Sequence, residues 1–349
     1  MSPETALKNL EVALKNITDI NTFGNSVLAP AKFDQFVRRM EDRTVILPDA
    51  RFLEMDAHRV DIDRVGFVGR ILHSGADGGG DSRTLSTGEF ADPTTNTNQL
   101  VAQELQAVTS LRDRALRRNI ERGNFENTLL DLFGQAAGRD FEEYGLFADT
   151  ELTHSDDDLL SKTDGWLRRA VNKLYGRNVT GQVERDFDAA DALDKPTVLF
   201  QALIDALPKR FAADWSEWRI YVPWEIFDAY RDELIARETG LGDMSLTENT
   251  APPYKGIPVV YAPMLERAET VDLNEDSEVS RDRMEGRIAT LQHPDNMIWG
   301  VFHEVTVEDE REAKERRTDF VLTFEGDVEF EDENAGVVAF VDKANPETV

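Results

Sequence analysis

Apolar residues near the N-terminus recur at helical spacing: Leu7, Leu10, Leu14 and Ile17 fall on one stripe. Ser2-Pro3 places a capping hydroxyl and a first-turn proline ahead of it. A second short helix is predicted after Pro30, with Phe33, Phe36, Val37 and Met40 on one face. Neither stripe can be buried by so short a segment alone, so residues 1–43 read as an arm that lies on something else. The period then changes. Within residues 44–72, Val60 and Ile62 alternate with Asp61 and Asp63, as in a half-buried strand. The run HSGADGGGDSRTLSTGEFADPTTNTNQ (73–99) is a long connection rich in turn-forming residues. Two flanking strands of about ten residues would project as a hairpin arm of roughly 33 Å.

From Gln99 onward, Val101, Leu105, Val108, Leu111 and Ala115 mark a helical stripe that predicts a helix ending at Arg122, about 35 Å long. Asn124 is placed to cap a further helix, FENTLLDLFGQAAG. Residues 139–165 form a polar, acidic passage where a domain boundary is expected. Beyond it, WLRRAVNKLYG, PTVLFQALIDALPKRF and EIFDAYRDELIARETG read as helices, and EWRIYVP and GIPVVYAPM as strands. The end of the chain is strand-rich: NMIWGVFHEVTVEDE, DFVLTFEGDVEFE and AGVVAFVD, with the charged interval REAKERR among them. No internal repeat of solenoid length is present. The pattern is that of a mixed α+β chain.

Charge alters this picture most. The 349 residues carry 68 Asp+Glu against 39 Lys+Arg, a formal net charge of -29, and the acids are spread through every segment. Such a chain repels itself at low salt. In molar salt the Debye length falls to about 3 Å and the repulsion is screened, which suits a halophilic setting. The same charge argues against binding nucleic acid through phosphates. The arginines of RDRALRRNIER (112–122) spread over several helical faces, as in a solvated or salt-bridging helix. No run reaches the ~18 apolar residues of a membrane span.

Candidate chemistry is sparse. There is no cysteine, which removes disulfides and thiolate chemistry. His58, His73, His154, His293 and His303 show no metal-ligand spacing. GADGGGD (75–81) lacks the ending of a phosphate loop, and DFDAADALD (186–194) lacks the glycine and final glutamate of a calcium loop. The tryptophans, Trp166, Trp215, Trp218, Trp224 and Trp299, read as core and interface anchors. No catalytic, cofactor-binding or metal-binding residue is assigned, and the chain is not expected to be an enzyme.

Three stretches resemble the major capsid protein of tailed viruses, with its HK97-type fold. They are TDGWLRRA (163–170), TAPPYKGIPVVYAPML (250–265), and HPDNMIWGVFHEVTVEDERE (293–312) followed by RTDFVLTFEGDVEFEDENAGVVAFV (317–341). The resemblance implies an N-terminal arm (1–43), an extended E-loop (44–98) and a peripheral domain with a spine helix (99–150). An axial domain (151–292) and closing strands shared between the two domains (293–349) complete it. It implies a structural protein that forms hexamers and pentamers of an icosahedral shell around double-stranded DNA, without sequence-specific binding. Together with the charge, it points to a halophilic archaeal tailed virus. The shell would be located in the virion and assembled in the host cytoplasm, with no membrane and no cofactor.

Assembly contacts are expected at Leu7, Leu10 and Leu14 of the arm, and at Gly78, Gly79 and Gly80, which give the loop tip its freedom. Implied partners are further copies of the chain, a separate scaffolding protein, a portal, and vertex or decoration proteins. Some family members weld subunits through an E-loop lysine; here no lysine occurs between Lys32 and Lys162, so a non-covalent shell is expected. The arm is also shorter than a scaffolding segment plus an arm would need. The remaining readings are an encapsulin-like nanocompartment, which shares the subunit shape, and a halophilic metal-dependent enzyme.

Overall fold

The computed structural model describes residues 26–27, 44–67, 71–75, 82, 84, 93–112, 125–152, 157–177, 187–211, 215–236, 252–269, 287–302, 306–312 and 314–344. The two arm helices, with Leu7, Leu10 and Leu14, and the tip glycines Gly78, Gly79 and Gly80 lie outside the described residues.

One sheet is built around a long antiparallel hairpin. Its outgoing half is β10 (Met297–Phe302) and β11 (Thr306–Glu312); its return is the 14-residue β12 (Arg317–Phe330). On the far side of the outgoing half, β2 (Arg51–Met55) pairs parallel with β10, and β1 (Ser26–Val27) pairs antiparallel with β11. On the far side of β12 lies β5 (Gln103–Arg112), in unbroken antiparallel register from Arg112↔Arg317 to Gln103↔Gly326.

The position of β5 corrects the helix expected from Gln99 to Arg122 over residues 99–112; residues 113–122 lie outside the described residues. Residues 93–112 are two strands, β4 (Pro93–Val101) and β5, separated at Ala102. QELQAVTSLR satisfies both periods: Leu105 is buried while Glu104, Gln106, Val108 and Ser110 are exposed, which is strict alternation. Ten residues of ladder on β12 decide between them.

Within and just beyond residues 44–98, two strands form a hairpin-like pair. β3 (Arg59–Phe67) and β4 pair antiparallel over nine residues each, from Arg59↔Val101 to Phe67↔Pro93, as a separate two-stranded sheet.

The long helix is α1 (Phe125–Phe147), 23 residues. It begins where Asn124 predicts a helix but runs on through RDFEEYGLF, expected as a polar passage. The acids there are not loop residues: Phe141, Tyr144 and Phe147 are buried, and Glu142 and Glu143 with them. A second correction follows at WLRRAVNKLYG. Only α2 (Trp166–Arg169) is helical, and Asn172–Arg177 is strand β6.

β6 begins a five-stranded sheet of order β6-β13-β9-β7-β8, with β13 being Gly336–Ala344, β9 Ile288–Gln292, β7 Arg219–Val222 and β8 Val259–Tyr261. Both faces of its centre are covered, so β9 and residues 336–341 of β13 are buried throughout. Val337, Ala339 and Val341 face a core closed by α3 (Ala189–Asp194), α4 (Pro196–Ala206) and α5 (Trp224–Ala236). Val338 and Phe340 face the other core, which joins this sheet to α1 and to Trp299, Val328 and Phe330 of the hairpin sheet. That shared core runs from one sheet to the other.

PPYKGIPVVYAPML (252–265) contains the strand expected there, β8, framed by turns. Tyr254 and Ile257 exchange two backbone hydrogen bonds of 2.9 Å across Lys255 (φ 51) and Gly256 (φ 92). Two successive positive φ values make this a tight turn of the type that glycine at the second position favours. Pro258 accepts from the Ile220 amide at 3.0 Å, and Pro263 opens a 3-10 turn at the end of β8.

Candidate assembly site at the root of the hairpin arm

The β3–β4 arm must be fixed to the body if it is to reach anything. Its root rests on the sheet face formed by β2, β10 and β12, where Met55, Leu100, Ile298 and Phe302 form a small buried apolar cluster. Gly300 of β10 lies beneath this cluster. A Cβ there would come within 2.8 Å of the Met55 sulfur and 3.3 Å of Leu100, so only glycine permits this close approach without displacement.

Alongside the apolar cluster, β12 presents a ladder of acids. In EGDVEFED (325–332), Gly326, Val328 and Phe330 are buried on the side of Trp299 and Phe141, and Glu325, Asp327, Glu329 and Glu331 alternate onto the arm side. Each acid holds a different element. Glu325 meets His58, in the turn before β3. Asp327 accepts from the Val101 amide of β4 at 2.8 Å and from the Thr163 hydroxyl at 2.9 Å. Glu329 takes Arg169 of α2 at 2.6 Å, and Glu331 takes Arg51 of β2 at 2.9 Å. Asp332, just past the strand, pairs with Arg64 of the arm. The Asn98 side chain donates to the Phe330 carbonyl at 2.7 Å, adding a contact that carries no charge.

TDGWLRRA supplies the other wall. Trp166 donates its indole N–H to the Glu329 carbonyl at 3.0 Å, and Arg169 donates to Thr163 Oγ1 at 3.2 Å as well as to Glu329. Arg169 thereby serves two carboxylates, one directly and one through Thr163. Asp327 and Glu329 are almost fully enclosed. Burial pushes the Glu329 carboxyl up to about 7, against the opposing pull of Arg169, and burial also raises Asp327. Asp332 is held below the usual carboxylate range: burial acts to raise it, and the hydrogen bonds from Arg64 and Asn334 together outweigh burial.

The segment leading into β2 is pinned from the opposite side. Glu142 of α1 accepts from the Val45 amide at 3.1 Å, and the Ile46 and Leu47 amides also turn toward it. Burial still drives it up to about 7. Trp299 donates to the Leu47 carbonyl at 3.2 Å, and the Tyr221 hydroxyl donates to Asp49 at 2.8 Å. Among the described residues, no group of three or more His, Cys, Asp or Glu is arranged to hold a metal ion.

None of these residues was singled out as a site from sequence, where the acids read as dispersed. Their signal is local: acids on alternate positions of a segment whose other positions are Gly, Val and Phe. In a strand buried on both faces, such acids require partners.

No family model matches the sequence. Over 330 residues the chain is 26% identical to the putative prophage capsid protein YqbE of Bacillus subtilis (strain 168), which covers 94% of this chain and 97% of that protein. Among solved structures, it is similar to the satellite phage P4 procapsid, with TM-score 0.53 and 14% identity over 89% of this chain and 99% of that one. It is also similar to a structure from Mycobacterium phage Ogopogo (TM-score 0.54, 11% identity, 85% of this chain and 92% of that one). The capsid of Myoviridae phage XM1 gives TM-score 0.52 and 12% identity, over 84% and 89% of the two chains. The fold is therefore the mixed α+β, HK97-type fold expected from the sequence resemblance.

Proposed function

We propose that this chain is a major capsid protein of a tailed virus, which assembles with further copies of itself into hexamers and pentamers of an icosahedral shell around double-stranded DNA. The observation that carries this reading is the similarity to a prophage capsid protein along nearly the full length of both chains. The architecture supports it: a two-stranded arm, a long helix and two sheets on a shared core leave the arm bound at its root and outside that core. A structural role follows, with the arm lying over a neighbouring subunit and the five-stranded domain, with its helices, facing the capsomer centre. The domain divisions expected from sequence belong to this proposal, as do location in the virion, assembly in the host cytoplasm, and portal and decoration partners. The dispersed charge of -29 extends it to a shell that works in concentrated salt, as in a halophilic archaeal virus.

Electron microscopy of the purified chain in about molar salt, where surface charge is screened, tests the reading. Closed shells or hexameric sheets are expected. Particles no larger than a dimer at every salt and protein concentration, with scaffolding protein supplied, would count against it.

A further inference from the structure

Asp327 and Glu329 stand about 6–7 Å apart along the arm-facing side of β12, out of contact with water, and share one guanidinium. If both were ionised, the enclosed group would hold two negative charges against the single positive charge of Arg169. Among the described residues, neighbouring cations do not make up the deficit. Arg64 is engaged by Asp332, with Arg210 3.8 Å from the same carboxylate; Arg51 is engaged by Glu331, and His58 by Glu325. Glu333 adds a further negative charge toward Glu329. From α1, Tyr144 reaches the same place. It is fully buried beside Asp327 and Arg169, with its hydroxyl turned toward Thr163 and, among the described residues, no hydrogen bond completed at normal length. An enclosed donor without a completed hydrogen bond is costly, and this one lies close enough to the acid that anchors the arm to feel its charge.

We propose that the arm root is a proton-operated latch, closed while Asp327 and Glu329 together retain one proton and loosened when both are ionised. In the closed state Asp327 accepts the Val101 amide and ties β4 to β12. When the second carboxylate ionises, repulsion within the enclosed pair favours release of Asp327 from Val101 and into water. Burial raises both acids, and Glu329, pushed up to about 7, places the change near neutral pH. The latch is a property of a single chain and is read before any shell forms.

Hydrogen exchange on the full-length chain in molar salt tests it, followed from pH 5.5 to 8.5 and corrected for the intrinsic pH dependence of amide exchange. In the wild-type chain, protection in the peptide containing Val101 should fall at least tenfold between pH 6 and 8. Protection across β9 should hold, which separates latch opening from global unfolding. Glu329→Gln, which cannot ionise, should keep the Val101 peptide protected throughout. Protection at Val101 that is flat in the wild type, or that falls equally in Glu329→Gln, overturns the latch. Should Glu329→Gln fail to fold, the wild-type titration with its β9 control decides alone. Shells that form while Val101 protection stays flat refute the latch and leave the capsid reading intact.

Discussion

At the residue scale, the fold depends on a few enclosed polar contacts whose partners lie far away in sequence. Arg169 is the clearest case, because its guanidinium offsets a carboxylate 160 residues distant. Removing one partner of a buried pair leaves an uncompensated charge, which costs about 3–5 kcal/mol. Arg169→Ala should therefore destabilise the chain by that order at pH 8, and by much less at pH 5, where Glu329 is protonated. Urea unfolding at the two pH values measures the difference, and an equal loss at both would show that Arg169 acts through packing alone. TDGWLRRA was legible as a recurrent segment, but its partners were not: nothing local to Arg169 points to Glu329, and a chain with 68 acids hides the two that matter. The tryptophans were more legible. Trp166 and Trp299 are fully buried, as large aromatics in a core should be, and Trp224 remains 46% exposed at the start of α5.

At the scale of elements, local pattern sufficed where one period dominated and failed where two coexisted. The α4 and α5 helices, and the strands β7, β8, β10, β12 and β13, lie where apolar spacing and turn residues indicate. β5 does not, because its apolar positions fit a helical stripe as well as an alternating one, and only pairing with β12 removes the ambiguity. The same pairing predicts what each position tolerates. Val321 sits between Val108 on one side and Glu308 on the other, inside a three-strand ladder. Proline there removes a donor from an internal strand, so Val321→Pro should prevent folding. Val108 is on the outer strand and 61% exposed, so Val108→Glu should change stability by no more than about 0.5 kcal/mol. Far-ultraviolet circular dichroism and thermal melts of the two variants check both halves. If 99–112 were helical in solution, Val321→Pro would lose its special severity.

Across the whole molecule, charge governs behaviour in two separable ways. No lysine lies between Lys32 and Lys162, so the arm offers no amine for welding subunits, and boiled shells should run as single chains in a denaturing gel. A ladder of multimers would refute this. The second effect is pH dependence. Burial pushes Glu142 and Glu329 up to about 7 in the folded chain, whereas unfolding returns them to the ordinary glutamate value of 4.5. Between those values the folded state binds more protons, so stability falls as pH rises from about 4.5 to 7 and stays low above it. Asp332 acts oppositely: its lowered pKa adds stability above its ordinary value, lost as pH falls through the lowered one. Maximum stability is therefore expected near pH 5, with a lower melting temperature at pH 8 in the same molar salt. Repulsion among the surface acids also weakens on acidification, so the direction alone does not identify the cause. The double variant Glu142→Gln/Glu329→Gln removes two charges from a net of -29 and leaves that general repulsion nearly intact. It should flatten the melting profile between pH 5 and 8. A profile as steep as that of the wild-type chain would assign the pH dependence to the surface as a whole and not to the two buried glutamates.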